Sequence, residues 1–379
     1  MLPPPGMGGP AAPAMAGGAA ATIPATAPAS SGGSSAGSGS AVNPNAGATL
    51  VPASVVTPAA GAAQRVRPLS PDVLAAAALA WSLARSGDMR AYPLDWAVGV
   101  FRSPSGSETV VMSGDGSGYV PVGVFLPRSA RLMVSDPLVD SEFRQRWFGW
   151  ADPARLLVEY AALRGHDEWR LVAAATTGPV DAFRSVSVEH TWVSRREEDR
   201  PAELAPDWAP PVLDELHVHR LQSEYADLYE RLEKLSAVAP VFRERVIFPL
   251  TRALMEAALQ VEGYPQELRG LWEAVKANRE PGHAAWAAYN SACNQYFMQV
   301  GATRPGGFTD DRRPEHVPAQ THSYHRGQWT AARAMEHLGG WAAQPMPLPD
   351  MVYAAAAAYV GDIRQVLEPS LREVEQELS

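Results

Sequence analysis

The chain has 379 residues and a net charge of −9 near pH 7. An acidic balance disfavours nucleic-acid ligands, whose phosphates require a basic surface, and it disfavours anionic membranes. A single cysteine excludes an internal disulfide framework, and no run of 18 apolar residues is present that could span a bilayer. The first basic residue is Arg65, so we expect no conventional secretory signal. These features predict a cytoplasmic protein without membrane insertion.

The first part of the chain differs in composition from the rest. Residues 1–64 contain no Asp, Glu, Lys or Arg and consist mostly of Ala, Gly, Pro, Ser, Thr and Val. Such a segment cannot bury enough apolar surface to offset the entropy of ordering. We therefore expect a disordered tether over residues 1–64 and a folded part from Arg65.

Helix and strand patterns alternate over residues 65–200. Ser70 is a suitable N-cap, Pro71 fits the first turn of a helix, and Gly87 is suited to end it. A second helix is predicted from Asp152-Pro153 to about Gly165. Alternating apolar residues predict strands at DWAVGVFR, ETVVM, YVPVGVFLP, ARLMVS, WRLVAAATT and RSVSVEHTWVS. Neighbouring strands with short turns predict a mainly antiparallel sheet covered by helices, which is an α+β domain.

The glycine-rich stretch SGDGSGYVPVGVF, residues 113–125, could be a phosphate-binding loop or a hairpin turn. A phosphate loop needs a helix directly after it, because the helix N-terminus holds the anion. Val120, Val122 and Val124 instead alternate as in a strand. Asp115-Gly116 also suits a tight turn. We therefore predict a hairpin.

A change of period marks the second part of the chain. Charged residues and prolines over residues 194–211 predict a boundary, followed by an all-helical domain over residues 208–379. Its first helix is predicted from Leu221, Tyr225, Leu228, Leu232 and Leu235, and its second from Ile247, Leu250, Leu254, Ala258 and Val261. Further helices are predicted at 266–278, 284–300, 327–338 and 351–378, the last broken near Pro369, with one long loop over residues 301–326.

Single polar residues of this domain carry weak signals. His217 and His219 are predicted on the surface of one helix, where their spacing points them to different sides. Cys293 is predicted on an apolar helix face as a structural thiol, the alternative being a nucleophile. No cofactor is expected.

The predicted long loop collects residue types that bind divalent metal ions. Asp310, Asp311, His316, His322 and His325 are carboxylates and imidazoles within one segment. Polar loops gather such residues without binding a metal, and no recognised ligand spacing is present. We therefore predict no metal site and keep the three histidines as weak candidates.

An aromatic cluster follows the sheet region. Trp147, Phe148 and Trp150 lie within four positions and next to Arg144 and Arg146. Trp and Arg are enriched in interaction hot spots, although large aromatic residues also dominate protein cores. These five residues are the candidate partner-binding site, with core packing as the alternative.

Several of these stretches together resemble a known family. The charge-free Ala/Gly/Pro segment, then LAWSLARSGDM, DWAVGVFR and WFGWADPARLL, then a helical end, are similar to the C-terminal part of EspK, an accessory protein of mycobacterial type VII secretion. The resemblance covers most of residues 65–379. It implies a chaperone-like or adaptor role in which the protein binds a secreted substrate, and contacts with the secretion machinery are a further expectation.

Three hypotheses for the function remain open. The first is a non-enzymatic adaptor or chaperone that docks a segment of a type VII substrate in an apolar groove. The second is an effector enzyme, exported by type VII secretion, with its active site at the histidine loop. The third is a structural component of the secretion assembly. The first predicts exposed apolar surface, and the second a pocket with convergent polar groups.

Overall fold

In the computed structural model, which describes residues 68–379 apart from 117, 166–167, 308–312 and 359–360, the fold begins with helix α1 (Pro71–Met89). Ser70 Oγ accepts a hydrogen bond from the Val73 backbone N–H, and Pro71 lies in the first turn, as predicted. The helix continues two residues past Gly87. The expected disordered tether, residues 1–64, lies outside the described residues.

The described part of the chain contains seven strands, five of which form one sheet. The sheet order is β4-β2-β1-β5-β6, while β3 pairs with β7. The first strand, β1, is central and its first six residues are buried, because α1 and α3 pack on it. The strands are β1 (Trp96–Ser103), β2 (Gly106–Ser113), β3 (Leu126–Pro127), β4 (Ala130–Leu132), β5 (Arg170–Thr176), β6 (Glu189–Trp192) and β7 (His217–Val218).

The sheet is mixed in direction. The pairs β1–β2 and β1–β5 are antiparallel, and β1 and β2 are joined by a tight turn between Ser103 and Gly106. The short outer pairs β2–β4 and β5–β6 are parallel. The α+β class is confirmed. The predicted antiparallel pairing is found only for the two long central pairs, β1–β2 and β1–β5.

The glycine-rich loop is not a hairpin. No strand covers residues 119–125, and only Leu126–Pro127 pairs further on. The Asp115 carboxylate accepts hydrogen bonds from the backbone N–H groups of Gly118 and Tyr119, so these groups are unavailable to a strand partner. Val120 and Val124 are buried within the loop, while Val122 is exposed. Among the described residues 118–125 no helix follows the loop, and a phosphate loop would need one there.

Helices form the rest of the described chain. The longest, α9, packs against α6, α8 and α10 and is buried over most of its second half. None of the described helices is long and apolar enough to cross a membrane. The helices after α1 are α2 (Ser141–Trp147), α3 (Pro153–Arg164), α4 (Asp181–Arg184), α5 (Ala226–Ser236), α6 (Pro240–Ala258), α7 (Gln266–Lys276), α8 (His283–Ala302), α9 (Ala319–Gly339), α10 (Leu348–Ala357) and α11 (Ile363–Leu378).

Two predicted helix boundaries in the C-terminal part are wrong. Helix α9 begins at Ala319, so the predicted long loop ends earlier and includes helical residues. The last helical segment breaks before α11, where the Asp362 carboxylate accepts from the Arg364 backbone N–H and starts a new helix. Pro369 lies inside α11 without breaking it. The break between the last two helices therefore lies at the Asp362 N-cap and not at Pro369, where it was predicted.

The predicted surface helix at His217 and His219 is also wrong. His217 belongs to β7, and helix α5 begins only at Ala226. His219 is buried, where its ring stacks on Tyr229 and hydrogen-bonds the Asp350 carboxylate at 3.1 Å. The long-range contacts of His219 explain the difference, since helical periodicity carries no information about them.

Residues Val66–Ser379 form one compact unit. Its buried apolar residues, from Val73 in α1 to Val374 in α11, belong to one continuous core. The division into domains at 65–200 and 208–379 stays a prediction.

Candidate partner-binding groove

The three aromatic residues considered for partner binding lie in the core. Trp147 and Phe148 are buried, and Trp150 is 0% exposed. The rings of Trp147 and Trp150 meet edge-on, with centroids 5.4 Å apart. The three rings therefore pack in the core, which was the alternative that the sequence left open. Their role in binding a partner stays a prediction.

The two arginines of the same cluster lie on α2 and are partly exposed. Arg146 pairs with the Glu142 carboxylate one turn earlier at 2.8 Å. Arg144 donates to the carbonyl oxygens of Val134 and Val139, which precede its helix. Arg144 therefore fastens α2 to the sheet region, and Arg146 forms an ordinary solvated pair.

The aromatic cluster supports the chain that follows α8. The Phe148 ring packs on His325, with centroids 5.4 Å apart, and a ring nitrogen of His325 lies 2.8 Å from the Thr303 hydroxyl. Trp150 forms an isolated backbone bridge with Gly306. The end of α8 is thus tied to α9 and to the loop after α2.

The structure separates the weak metal candidates. His316 ends a short 3₁₀ turn, His322 lies in the first turns of α9, and His325 is buried in the same helix. Burial lowers the pKa of His325 to about 3, so its ring is neutral near pH 7. Among the described residues no group of three His, Cys, Asp or Glu side chains is placed to hold a metal ion. Asp310 and Asp311 lie outside the described residues.

A groove of about 520 Å³ runs between one face of α8 and the segment that joins α1 to β1. Its volume is in the range of about 300–1,000 Å³ that is common for binding sites. Asn294, Phe297, Met298 and Gly301 line it from α8 at helical spacing. The remaining lining residues are Ala91, Tyr92, Pro93, Leu94, Asp95, Val300, Arg304 and Trp329.

Helix α8 has an exposed face without charge. Its 20 residues include no Asp, Glu, Lys or Arg, although only Tyr289, Cys293, Tyr296 and Val300 are buried. A helix with one face in water normally carries charged residues there. Met298 projects into the groove with 69% of its surface exposed. Depletion of charge and exposed Met are typical of protein interfaces.

The floor of the groove is organised around one buried arginine. The guanidinium carbon of Arg333 lies 4.0 Å from the ring centroid of Tyr119 and 4.6 Å from that of Trp329. The rings of Phe297 and Tyr92 lie at 5.3 and 5.5 Å. Cation–π attraction in a desolvated site is worth about 2 kcal/mol or more. Arg333 therefore fixes three rings that line the groove.

Buried ion pairs extend from this arginine into the fold. Glu336 accepts from Arg333 at 2.6 Å and from the Tyr119 hydroxyl at 2.7 Å, and it pairs with Arg220 at 2.6 Å. Arg220 also donates to Asp350 at 2.8 Å. Burial opposes ionisation of Asp350, but the charge of Arg220 outweighs it and holds the pKa of that carboxyl well below its usual range. The network joins the glycine-rich loop to α9 and α10.

A second, smaller cleft is lined in part by Tyr119. It holds about 60 Å³ and is lined by Arg144, Phe148, Glu224 and Tyr353 among others. The Glu224 carboxylate is 15% exposed and lies 3.9 Å from Arg144. Burial raises the pKa of Glu224 to about 7, although the charge of Arg144 opposes the shift.

This shift predicts a pH-dependent stability that Glu224→Gln removes. The folded state binds the Glu224 proton more tightly than the unfolded state does. Protonation of Glu224 therefore adds fully to the free energy of unfolding below about pH 4.5, and this addition is lost as the pH rises to about 7. At pH 8 we expect Glu224→Gln to raise the free energy of unfolding by on the order of 2 kcal/mol. Urea unfolding from pH 4 to 8 measures the difference between the variant and the native protein.

Glu230→Gln is the matched control, because it makes the same change on the exposed surface of α5. We expect its difference from the native protein not to change over this pH range. A difference that is equally flat for Glu224→Gln would contradict the burial argument. Protonation of His325 and His337 in the unfolded state lowers stability below about pH 6.5 in all three proteins, so only differences between proteins are compared.

Cys293 lies on the buried face of α8, as predicted. Burial raises the pKa of its thiol to about 12, so the thiolate is scarce near neutral pH. A nucleophilic cysteine reacts as the thiolate, so Cys293 is better described as a buried structural thiol.

Sequence reasoning missed the groove. The signal that could have found it is the absence of charge from all 20 residues of α8, which is visible in the sequence. Arg333 and Tyr92 carried no such signal, because the residues around them come from distant parts of the chain.

Comparison with known protein families identifies the family of this chain. A sequence model described as the EspK C-terminal domain matches residues 85–336, which is more than half of the chain. No curated protein sequence matches. A solved structure of a fragment (residues 184–410) of the conserved hypothetical protein Rv3899c from Mycobacterium tuberculosis is similar with a TM-score of 0.39 and 17% identity, covering 76% of this chain and 93% of that chain. That score is too low to carry an argument about this chain.

Proposed function

The chain belongs to the family of the EspK C-terminal domain, which is linked to type VII secretion, and we propose that it is a non-enzymatic adaptor or chaperone for a secreted substrate of that system. It would bind a segment of the substrate in the cytoplasm and help to deliver it for export. The groove along α8 is the surface that we assign to this segment.

The observation that carries the proposal is the uncharged, exposed face of α8 beside an apolar groove. An exposed apolar surface that none of the described residues covers favours association, because covering it removes apolar area from water. The buried Arg333 holds Tyr92, Phe297 and Trp329 in place, so little side-chain freedom is lost when a partner docks. These features support recognition of a protein segment.

A non-enzymatic role is supported by how the charged groups are engaged. Arg220, Arg333, Glu336 and Asp350 pair with one another inside the fold. His325 is a buried ring that holds Thr303. In the enzyme hypothesis these groups would have to face a substrate. In the adaptor proposal they only stabilise the groove.

Met298→Glu tests the proposal. The substitution places a carboxylate in the groove, where a bound segment would have to desolvate it. We expect the affinity for a type VII substrate to fall by a factor of about 10 or more. The full chain serves as bait for purified type VII substrates of the source organism, and titration of the captured substrate measures the affinity.

Gln299→Glu is the control, because the next residue of α8 is exposed and does not line the groove. This variant should bind as the native chain does. Equal binding by Met298→Glu would show that the groove is not the site, and failure of the native chain to bind any substrate would refute the adaptor role. A complex that forms but never exchanges its substrate would instead favour a structural component of the secretion assembly.

A further inference from the structure

The groove contains one cation that no described residue neutralises. Arg304 lines it just after the end of α8. Within the described ranges, neither a hydrogen bond nor an ion pair engages its guanidinium group. Asp95, which also lines the groove, is already bound by Thr177 at 2.9 Å and by Arg195 at 3.3 Å. The groove therefore offers an apolar surface with a positive group at one end.

We propose that the partner segment is an amphipathic helix that lays its apolar side chains along α8 and places a carboxylate on Arg304. This inference rests on the proposed function, since it names the chemistry of the segment bound there. It excludes a purely apolar segment and a basic one.

The position of Arg304 is fixed by its neighbours. Thr303 donates to the Val300 carbonyl oxygen at 2.8 Å, and its hydroxyl also lies 2.8 Å from the ring of His325. Gly306 bridges to Trp150, two residues further on. The backbone on both sides of Arg304 is therefore held, and a guanidinium group on a held backbone pays less entropy when it binds a carboxylate.

The charge of Arg304 reaches the floor of the groove. Burial lowers the pKa of His325, and the nearby Arg304 lowers it further. Burial raises the pKa of Tyr92, and Arg304 is one of the cations that oppose this shift. A carboxylate near Arg304 would lie next to these rings and partly out of water. Ion pairs in such places are stronger than exposed ones.

The shape of α8 fits a helix as the occupant. Its 20 residues span about 30 Å, which is the length of a five-turn helix. Exposed Ala287, seven and eleven residues before Asn294 and Met298, lies on the same side of α8 and leaves room for a second backbone to approach closely. Met298 and Phe297 then contact the partner near the Arg304 end.

The net charge of −9 limits long-range attraction between this chain and an acidic helix. An acidic chain repels an acidic partner at long range, so attraction must come from contact between the carboxylate and Arg304. We therefore expect the charge to affect dissociation more than the rate of encounter.

The test uses two designed helical peptides of about 18 residues, with the same Leu/Ala face and with Glu or Lys beside it. Each carries a fluorescent label, and anisotropy is measured while the full chain is titrated. We expect the Glu peptide to bind about 10-fold more tightly than the Lys peptide. In Arg304→Glu this preference should be reversed.

Arg279→Glu is the matched control, because it makes the same charge change on an exposed residue before α8 and outside the groove lining. The preference should stay as in the native chain. Equal affinity for both peptides, equal effects of the two variants, or no binding of either peptide would overturn the inference. If substrate capture still depends on Met298 in that case, the adaptor proposal stands and only the chemistry assigned to its ligand is wrong.

Discussion

Replacing Arg333 by Ala is expected to lower the free energy of unfolding by about 3–5 kcal/mol, as for other buried ion pairs that lose one partner. The side chain is 0% exposed and lies among four aromatic rings. Its removal leaves Glu336 with one cation fewer and creates a cavity beneath the groove. Urea denaturation followed by tryptophan fluorescence measures the loss.

Two further variants separate the causes of that loss. Arg333→Met refills much of the space but donates no hydrogen bond to Tyr92 or Glu336, so we expect a smaller loss than with Ala. Arg252→Ala breaks the exposed pair with Glu256 and should leave the stability almost unchanged. If Arg333→Ala behaves like Arg252→Ala, the buried cation does not organise the groove floor.

Gly116→Ala is expected to cost more than about 3 kcal/mol or to prevent folding, because two obstacles act at one position. Gly116 has φ +71°, which side-chain-bearing residues adopt with strain, and a Cβ atom there would lie 1.8 Å from the Trp147 carbonyl oxygen. The contact is with backbone, so it cannot be relieved by turning a side chain. Thermal unfolding by circular dichroism measures the effect.

Gly263→Ala is the matched control for this substitution. Gly263 has φ +80°, but nothing lies within 4 Å of the added Cβ atom. We expect a cost of about 1–2 kcal/mol from the left-handed backbone alone. The difference between the two variants therefore measures the contact between the glycine-rich loop and the end of α2. Equal losses would show that this contact is unimportant.

The glycine-rich loop has a structural role that follows from these contacts. Its Tyr119 donates to Glu336, and the Val120 backbone N–H donates to the Tyr353 hydroxyl at 2.9 Å. Arg220 donates to the Val120 carbonyl oxygen at 3.0 Å. A loop whose glycines suggested phosphate binding thus connects the sheet to α9 and α10. Its conformation supports the groove from below.

Local signals in the sequence were sufficient for several elements. Ser70 and Pro71 begin α1 as predicted, and Asp152 caps α3 through the backbone N–H groups of Ala154 and Arg155. The tight turn between Ser103 and Gly106 also falls between the two strands predicted at DWAVGVFR and ETVVM. These features depend on residues a few positions apart, and their hydrogen bonds form within the element itself. The α+β class and the family follow from such stretches.

Only the tertiary structure decided the groove and the state of its residues. Tyr92, Tyr119, Phe297 and Trp329 surround Arg333 although more than 200 positions separate Tyr92 from the last two. Local sequence periodicity does not predict such long-range contacts, and it likewise did not predict the hydrogen bond between His219 and Asp350. Caps and turns are determined by neighbours in sequence, whereas burial and charge pairing depend on which distant segments the fold brings together.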